Sequence, residues 1–488
     1  MTNGMRIRGA AAIVSIGLSG GAMAQVGPAA DSGAMEARIR SLEAAVAALR
    51  TELAISRGGG ATTAAATDVA PLSSGGPTPV TTAQATPGGQ ATAPGSAAAV
   101  PAASRASAAA SPVAGEGFRI GGTTLKLGGY VKLWAGVNDY DGGVIPNNSV
   151  GRDFYFPPLI PVGGVSEGRQ FEAHAKQSRI QLATSTPIGD HLLKGLIEMD
   201  FQVVPGTQGN QRVVNGYDLG LRRAFFTYDN WLFGQEWTTF QNVAVLPETT
   251  NFVGPAEGTV FVRQAQVRYT KTVSPQLELA VALENPETTS SGLGEFALFD
   301  NGDDRMPDLA ARALYTPAFG EFSLSGLFRR LSYDTGSYGD STTGWGVSFA
   351  GKVPFGPGKR YDLRFMLTHG SGIGRYVGLG LAPDAVHGAV ADSRLDTVDV
   401  TAGFAALRLG WTPTLRSTLS YSFQDADYPA RYVFDGGTKS ARSYAGNLFY
   451  SPVKALDIGI EYRRGRRELL SGQAGNVDLA EFAAKYAF

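Results

Sequence analysis

Residues 477–488, VDLAEFAAKYAF, decide the fold of this chain. Aromatic or apolar side chains take every second position there, and small or charged ones fill the positions between: Phe482, Ala484, Tyr486 and Phe488 against Glu481, Ala483, Lys485 and Ala487. Because successive side chains of a strand point to opposite faces, one face is apolar and the other is small or charged. Such a last strand predicts a membrane β-barrel, in which it pairs with the first strand.

Composition narrows the class of protein. The chain has 488 residues, of which 17% are charged, with a formal net charge of -1 and no cysteine. A nearly neutral chain gives no electrostatic basis for a nucleic-acid partner, and the lack of cysteine is typical of an exported bacterial protein. No run of about 18 apolar residues follows the N-terminal region, so any membrane crossing must use strands.

Three segments precede the predicted barrel. Residues 1–24 have basic residues, an apolar run and a small-residue cleavage site in the order of a secretory signal peptide. Residues 25–57 hold about three heptads and predict a short periplasmic coiled-coil helix. Its Ile and Val positions favour a dimer, and a trimer is equally compatible if another part of the chain holds three copies together. Residues 58–117 form a low-complexity Ala/Pro/Thr/Gly linker, which we expect to be disordered.

Residues 118–488 have an apolar pattern with a period of two. Short connections, often with proline, alternate with longer polar ones, which is the asymmetry of outer-membrane barrels. The longer connections include residues 332–342, 370–396 and 466–476. Counting between these connections predicts sixteen strands. The predicted fold is therefore all-β, a 16-stranded antiparallel transmembrane β-barrel preceded by a short N-terminal coiled-coil helix and a disordered linker. A large soluble β-sandwich or propeller would alternate in the same way, and the turn asymmetry and aromatic end argue against it.

Several stretches of the barrel resemble the DcaP-like trimeric porins of bacterial outer membranes. They are LKLGGYVK at 125–132, KQSRI at 176–180, TPIGD at 186–190 and WLFGQEW at 231–237. The resemblance implies a homotrimer in the outer membrane of a Gram-negative bacterium, with the N-terminal region in the periplasm. It further implies uptake of small organic anions, dicarboxylates among them, and recognition of the Phe488 end by the barrel-assembly machinery.

Inward strand positions supply the side chains that would line a channel, and a channel selects by lumen width and wall charge. The alternation places these candidates in the lumen: Arg179, Arg268, Arg312, Arg329, Lys352, Arg364, Arg408, Arg416, Arg463, Glu198 and Asp200. Most of the cations fall on predicted strands eight to thirteen, which makes one wall basic. Guanidinium groups suit carboxylates because they offer fixed, two-pronged donors. Alternatively, these arginines form ion pairs with Glu or Asp and only stabilise the barrel wall.

A loop over residues 239–259 follows the predicted fifth strand, where porins in general fold a loop into the lumen. It carries two constriction-loop candidates, Glu248 and Glu257. If they face the basic wall across the lumen, they set up a transverse field at the constriction. We therefore expect the pore to prefer small anions.

The sequence predicts no enzyme, cofactor or metal site. The G-x-S-x-G match at 164–168 lies in a long loop without the helix that the catalytic turn requires. The four histidines lack metal-ligand spacing. Two other functions stay open: a sugar-specific porin, which would need a row of lumen aromatics, and an envelope tether or adhesin that uses the barrel as an anchor.

Overall fold

The computed structural model describes residues 117–147, 149–202, 216–295, 298–388 and 393–488. The predicted signal peptide, coiled-coil helix and linker lie outside the described residues, apart from the last linker position.

The described residues form 22 strands in two sheets. They are β1 Phe118–Ile120, β2 Thr123–Tyr140, β3 Arg169–His174, β4 Arg179–Ile188, β5 His191–Asp200, β6 Gly220–Tyr228, β7 Trp231–Trp237, β8 Arg263–Ser274, β9 Leu277–Glu284, β10 Thr289–Gly292, β11 Phe299–Asp300, β12 Asp308–Tyr315, β13 Glu321–Asp334, β14 Gly339–Phe355, β15 Tyr361–Ser371, β16 Ala385–His387, β17 Leu395–Thr397, β18 Asp399–Gly410, β19 Leu415–Asp427, β20 Thr438–Val453, β21 Leu456–Leu469 and β22 Ala474–Ala487. Four of them, β10, β11, β16 and β17, make a small second sheet from two long loops.

The remaining strands close into an antiparallel barrel of sixteen strands, which confirms the barrel part of the predicted fold. β3 and β4 are the two halves of the second barrel strand, because both pair with β2. β1 is a short arm on the start of β2. The barrel closes where β2 pairs with β22, from Tyr130 opposite Ala487 to Tyr140 opposite Val477.

The closing strand has the two faces that its sequence predicted. Phe482, Tyr486 and Phe488 are 37%, 55% and 43% exposed on the outer surface, whereas Glu481 and Ala483 are buried inside. The backbone N–H of Phe488 donates to the carbonyl of Gly129 at 3.1 Å, so the ladder continues to the end of the chain. The outer face is apolar along the other barrel strands as well.

Helices are few and short in the described part of the chain. They are the α-helix Val150–Asp153 and the 3-10 helices Pro157–Leu159, Val243–Val245, Ala256–Gly258, Pro357–Lys359 and Gly374–Tyr376. None of these helices has the length and apolar content that a membrane span requires.

Two connections that the sequence predicted to be long are tight hairpins. β13 and β14 pair up to Asp334 opposite Gly339, and β21 and β22 pair up to Glu468 opposite Ala474. These strand ends carry polar side chains on both faces, so the alternation that marks a strand fades although the hydrogen-bond ladder continues. The loops predicted over 332–342 and 466–476 are therefore mostly strand.

Three long connections fold into the barrel instead of standing in solvent. The loops 238–262 and 372–398 bury Phe240, Tyr376 and Val386 in one apolar cluster with inward strand residues. The loop 141–168 packs against loop 238–262 in a second cluster around Trp134 and Tyr155. Because these loop side chains pack against inward strand residues, they fill part of the lumen. The candidate site lies in the narrowed space that remains.

Candidate functional site: a cationic cavity beside an inward-folded loop

The loop between β7 and β8, residues 238–262, crosses the lumen and is hydrogen-bonded on both sides. Near its start, the carbonyl of Gln241 accepts from Arg312 Nη1 of β12 at 2.6 Å. Near its tip, the backbone N–H of Thr250 donates to Glu461 of β21 at 3.0 Å. Because contacts tie it to opposite parts of the wall, the loop is a fixed partition within the barrel.

A pair of buried glutamates anchors the tip of this partition. Glu461 and Glu481 lie directly opposite each other on β21 and β22. Asn251 Nδ2 and the indole Nε1 of Trp134 each donate to Glu481 Oε1 at 2.9 Å. Arg463 Nη2 lies 2.9 Å from Glu461 Oε1, so the pair of acids has a buried counter-charge.

A cavity of about 820 Å³ lies between the partition and the wall. Its lining is dominated by cations and holds only three acids, Glu198, Glu248 and Asp362. The ten lysines and arginines that line it are Lys132, Arg179, Arg222, Arg223, Lys352, Lys359, Arg364, Arg408, Arg416 and Lys485. Six of the eleven strand candidates from the sequence lie in this lining, namely five of the cations and Glu198. Asp200 does not line the cavity, but it forms an ion pair with Arg222, which does.

One side of the cavity is formed by β14, β15 and β18. Asp362 bonds Arg364 with an Nε–Oδ1 distance of 2.5 Å, and Arg408 lies 3.7 Å from its second oxygen. Arg364 also donates to the carbonyl of Leu246 in the partition. Within the described contacts no carboxylate lies within ion-pair distance of Lys352. This side therefore carries more positive than negative charge.

A second side of the cavity comes from β4, β5 and β6 and carries three arginines, each of which is paired with an acid. Arg222 bonds Glu198 at 2.9 Å and Asp200 at 2.5 Å, and Arg179 lies 3.5 Å and 3.4 Å from the same two acids. Arg223 bonds Glu236 of β7 at 2.5 Å. The sequence predicted one basic wall on strands eight to thirteen, whereas the lining draws its cations from two sides.

A β-bulge in β6 places two successive arginines inside the barrel. Glu198 is opposite Arg223 while the next residue, Met199, is opposite Leu221, so Arg222 is the extra residue. In a bulge of this kind the extra residue and the residue next to it point to the same face of the sheet, so Arg222 and Arg223 both point into the barrel. The outward apolar side chains change from odd to even numbers at this point, from Leu221 to Phe226. That change of parity is a sequence signal for the bulge, and sequence reasoning missed both Arg222 and Arg223.

Two predicted pore-lining arginines are enclosed ion pairs instead. Arg329 is 1% exposed and bonds Asp308 at 3.0 Å and Asp384 at 2.9 Å. Arg463 is 0% exposed and packs over the ring of Tyr155 with 5.0 Å to the ring centre. Both point inward as their strand positions predict, but inward-folded loops cover them. Arg268 and Arg312 also lie outside the lining of the cavity.

The two loop glutamates do not face the cationic wall across open lumen, contrary to the sequence expectation. Glu248 contacts Arg416 of β19 directly, with Nη2–Oε1 2.5 Å. Glu257 is fully buried, and Tyr155 donates to it at 3.4 Å. Burial raises the pKa of the Glu257 carboxyl above its ordinary value. The expected transverse field is therefore replaced by direct pairing at the wall.

The whole barrel region matches a known family model. Residues 126–488 match the DcaP outer membrane protein family. The chain belongs to this family. No curated protein sequence matches it.

The solved structure of another DcaP channel agrees with this family assignment. The outer membrane channel DcaP of Acinetobacter baumannii is 26% identical, with a TM-score of 0.63 over 76% of this chain and 100% of that one. OmpT of Vibrio cholerae and Salmonella typhi OmpF in complex with daunomycin are each 12% identical with a TM-score of 0.47. OmpT aligns over 77% of this chain and 100% of its own, and OmpF over 75% and 98%. The family match and the DcaP structure together identify this chain as an outer-membrane protein with a channel fold.

Proposed function

We propose that this DcaP family member is a passive diffusion channel that favours small organic anions, dicarboxylates among them. The observation that carries the proposal is the lining of the 820 Å³ cavity, in which ten cationic side chains meet three acidic ones. In a narrow, partly dry lumen such an excess raises the local concentration of anions and repels cations.

Some of these cationic side chains also have N–H donors that are not engaged by a carboxylate. Among the described contacts, Lys132 donates to the Gln177 side chain at 2.6 Å and to a carbonyl, and Lys359 donates to a carbonyl at 3.1 Å. Neither these lysines nor Lys352 has a carboxylate partner there. A permeating carboxylate can therefore accept hydrogen bonds without first displacing an acidic side chain.

Arginines on two sides of one cavity fit a molecule with a negative charge at each end. Arg222 lies on one side, and Arg364 with Arg408 lies on the other. A dianion placed between them gains charge-assisted hydrogen bonds at both ends. This arrangement supports dicarboxylates over monocarboxylates as the preferred solutes.

We further propose a homotrimer in the outer membrane of a Gram-negative bacterium, with the short turns and the N-terminal region in the periplasm. The family and the asymmetry of turns and loops support this orientation. Assembly of the barrel through its Phe488 end by the barrel-assembly machinery belongs to the same proposal.

Planar-bilayer recording tests the proposal. Under a salt gradient we expect a reversal potential of the sign that anion selectivity gives. In proteoliposomes, succinate should enter faster than its monomethyl ester, which has the same backbone and one charge fewer. A chain lacking residues 25–117 should conduct equally well, because the barrel forms the channel. Cation selectivity, or loss of conductance in the shortened chain, contradicts the proposal.

A further inference from the structure

The outer face of the barrel carries an unusual pair of like charges. Arg442 of β20 and Arg466 of β21 are direct cross-strand partners, and both side chains are 52% exposed. Arg464, two residues from Arg466 on the same face, is 46% exposed. Like charges directly opposite each other destabilise a sheet. An anion bound between the guanidinium groups would remove this repulsion.

The position of these arginines matches the headgroup level of a membrane. Along β20 and β21, the outward residues change from Leu448 and Ile460 to Tyr444 and Tyr462, and then to the arginines. Tyrosines mark the interface between hydrocarbon and headgroups on such barrels. The arginines lie one step further towards the long loops, where lipid phosphates are found.

An apolar groove begins at Tyr462, two residues from Arg464 on the same face, and runs into the hydrocarbon zone. It has a volume of about 670 Å³, and its floor includes Gly446 and Ala480. Its sides include Leu419, Leu448 and Tyr462, all on the outer face. Gly446 is the direct partner of Tyr462, which is two residues from Arg464. A headgroup at the arginines would thus have an acyl chain in the groove.

Each arginine already contacts a carboxylate, and these contacts leave donors free. Arg442 uses Nη2 towards Asp425 at 3.0 Å, Arg464 uses Nη1 towards Asp478 at 3.1 Å, and Arg466 uses Nη2 towards Glu468 at 3.4 Å. A guanidinium has five N–H donors, so most remain available. Exposed pairs of this kind contribute little stability and serve here to orient the guanidinium groups.

We infer that Arg442, Arg464 and Arg466 bind the phosphates of a phosphorylated glycolipid in the outer leaflet, with an acyl chain in the groove above Gly446. Arginine suits phosphate because its planar donors bind two oxygens at once. A free phosphate ion would use the arginines alone, whereas the glycolipid uses the arginines and the groove. The site is separate from the channel, because these side chains point away from the lumen.

The test measures binding of lipid A to the delipidated, refolded full chain by native mass spectrometry. Bis-phosphorylated lipid A should bind about tenfold more tightly than a dephosphorylated form, since the latter lacks the phosphate oxygens that accept charge-assisted hydrogen bonds from the arginines. R442Q/R466Q should lose about tenfold in affinity for the phosphorylated form. R330Q is the matched control, because Arg330 is an exposed, outward arginine on β13 far from the groove.

A second variant separates the acyl chain from the headgroup. G446L fills the groove, since an added Cβ would lie 3.2 Å from the Leu419 side chain, and it leaves every charge in place. We expect weaker lipid A binding in G446L and unchanged conductance in all the variants. Equal lipid A binding by wild type and R442Q/R466Q would overturn the inference. So would inorganic phosphate that competes at the affinity of lipid A, or a second copy of the chain covering this face.

Discussion

Glu248 at the partition and Arg416 of β19 form a two-bond ion pair, with Nε–Oε2 2.6 Å and Nη2–Oε1 2.5 Å. The same guanidinium lies 3.0 Å from Asp457 of β21. The pair fastens the loop to the wall and neutralises one of the cations that line the cavity. A loop residue therefore contributes to the charge balance of the cavity.

The E248Q variant should increase anion selectivity. The substitution removes one negative charge from the lining while Asp457 still holds Arg416 in place. We expect the anion-to-cation permeability ratio to rise roughly twofold, because one charge in a partly screened lumen acts on every passing ion. Reversal potentials under a salt gradient measure the ratio. D427N, an exposed acid on the outer end of β19, serves as control, and an equal ratio in wild type and E248Q would contradict the prediction.

The R222Q variant should shift selectivity in the opposite direction. Arg222 is the inserted residue of the bulge and lines the cavity, so its loss leaves Glu198 and Asp200 with Arg179 and one further arginine. We expect roughly a twofold fall in the anion-to-cation permeability ratio and slower succinate entry. Reversal potentials and proteoliposome uptake measure these effects. R330Q removes an outward arginine, and a similar fall in R330Q would show that lumen charge is not the cause.

Sequence reasoning predicted the strand faces well because the alternation of side chains reports directly on the barrel wall. Trp345, Val347 and Phe349 lie outside as their spacing predicts. Sequence reasoning failed at the bulge of β6, because one inserted residue exchanges the inward and outward positions for all residues beyond it.

It also failed wherever a loop folds inward. A period of two in the sequence predicts that Arg329 and Arg463 lie on the inward face of their strands. It does not predict which loops cover them there. The connection 370–396 was predicted to be long and polar, yet Ile373, Tyr376 and Leu381 in it are apolar and fully buried. That composition is the signal of an inward-folded loop.

The R329M variant should weaken the fold and leave selectivity unchanged. Arg329 bonds two buried acids, and its removal leaves Asp384 without a counter-charge and Asp308 with only the more distant Arg375, at 3.8 Å. Loss of one partner from a buried pair costs about 3–5 kcal/mol. The temperature at which the folded band disappears in a gel assay should fall. R329M/D384N should regain part of the loss, and a changed reversal potential in R329M would show that Arg329 does reach the pore.

The E257Q variant should be more stable than the wild type at neutral pH and equal to it in acid. Burial raises the pKa of Glu257 in the folded chain, so the folded state holds this proton at pH values where the unfolded state has released it. Stability therefore falls as the pH rises from the ordinary carboxyl pKa to the raised one. Glutamine keeps the oxygen that accepts from Tyr155 and has no proton to release.

Urea unfolding of both proteins at pH 4 and pH 7 measures this difference. At pH 4 the two proteins should have equal free energies of unfolding. At pH 7 the free energy of unfolding of E257Q should be the larger. E468Q is the control, because Glu468 lies at the solvent-accessible end of β21 and has no comparable burial. If wild type exceeds E257Q at pH 7, the carboxylate is charged and stabilised there by Arg463, and the loop is held by an ion pair instead of a neutral acid.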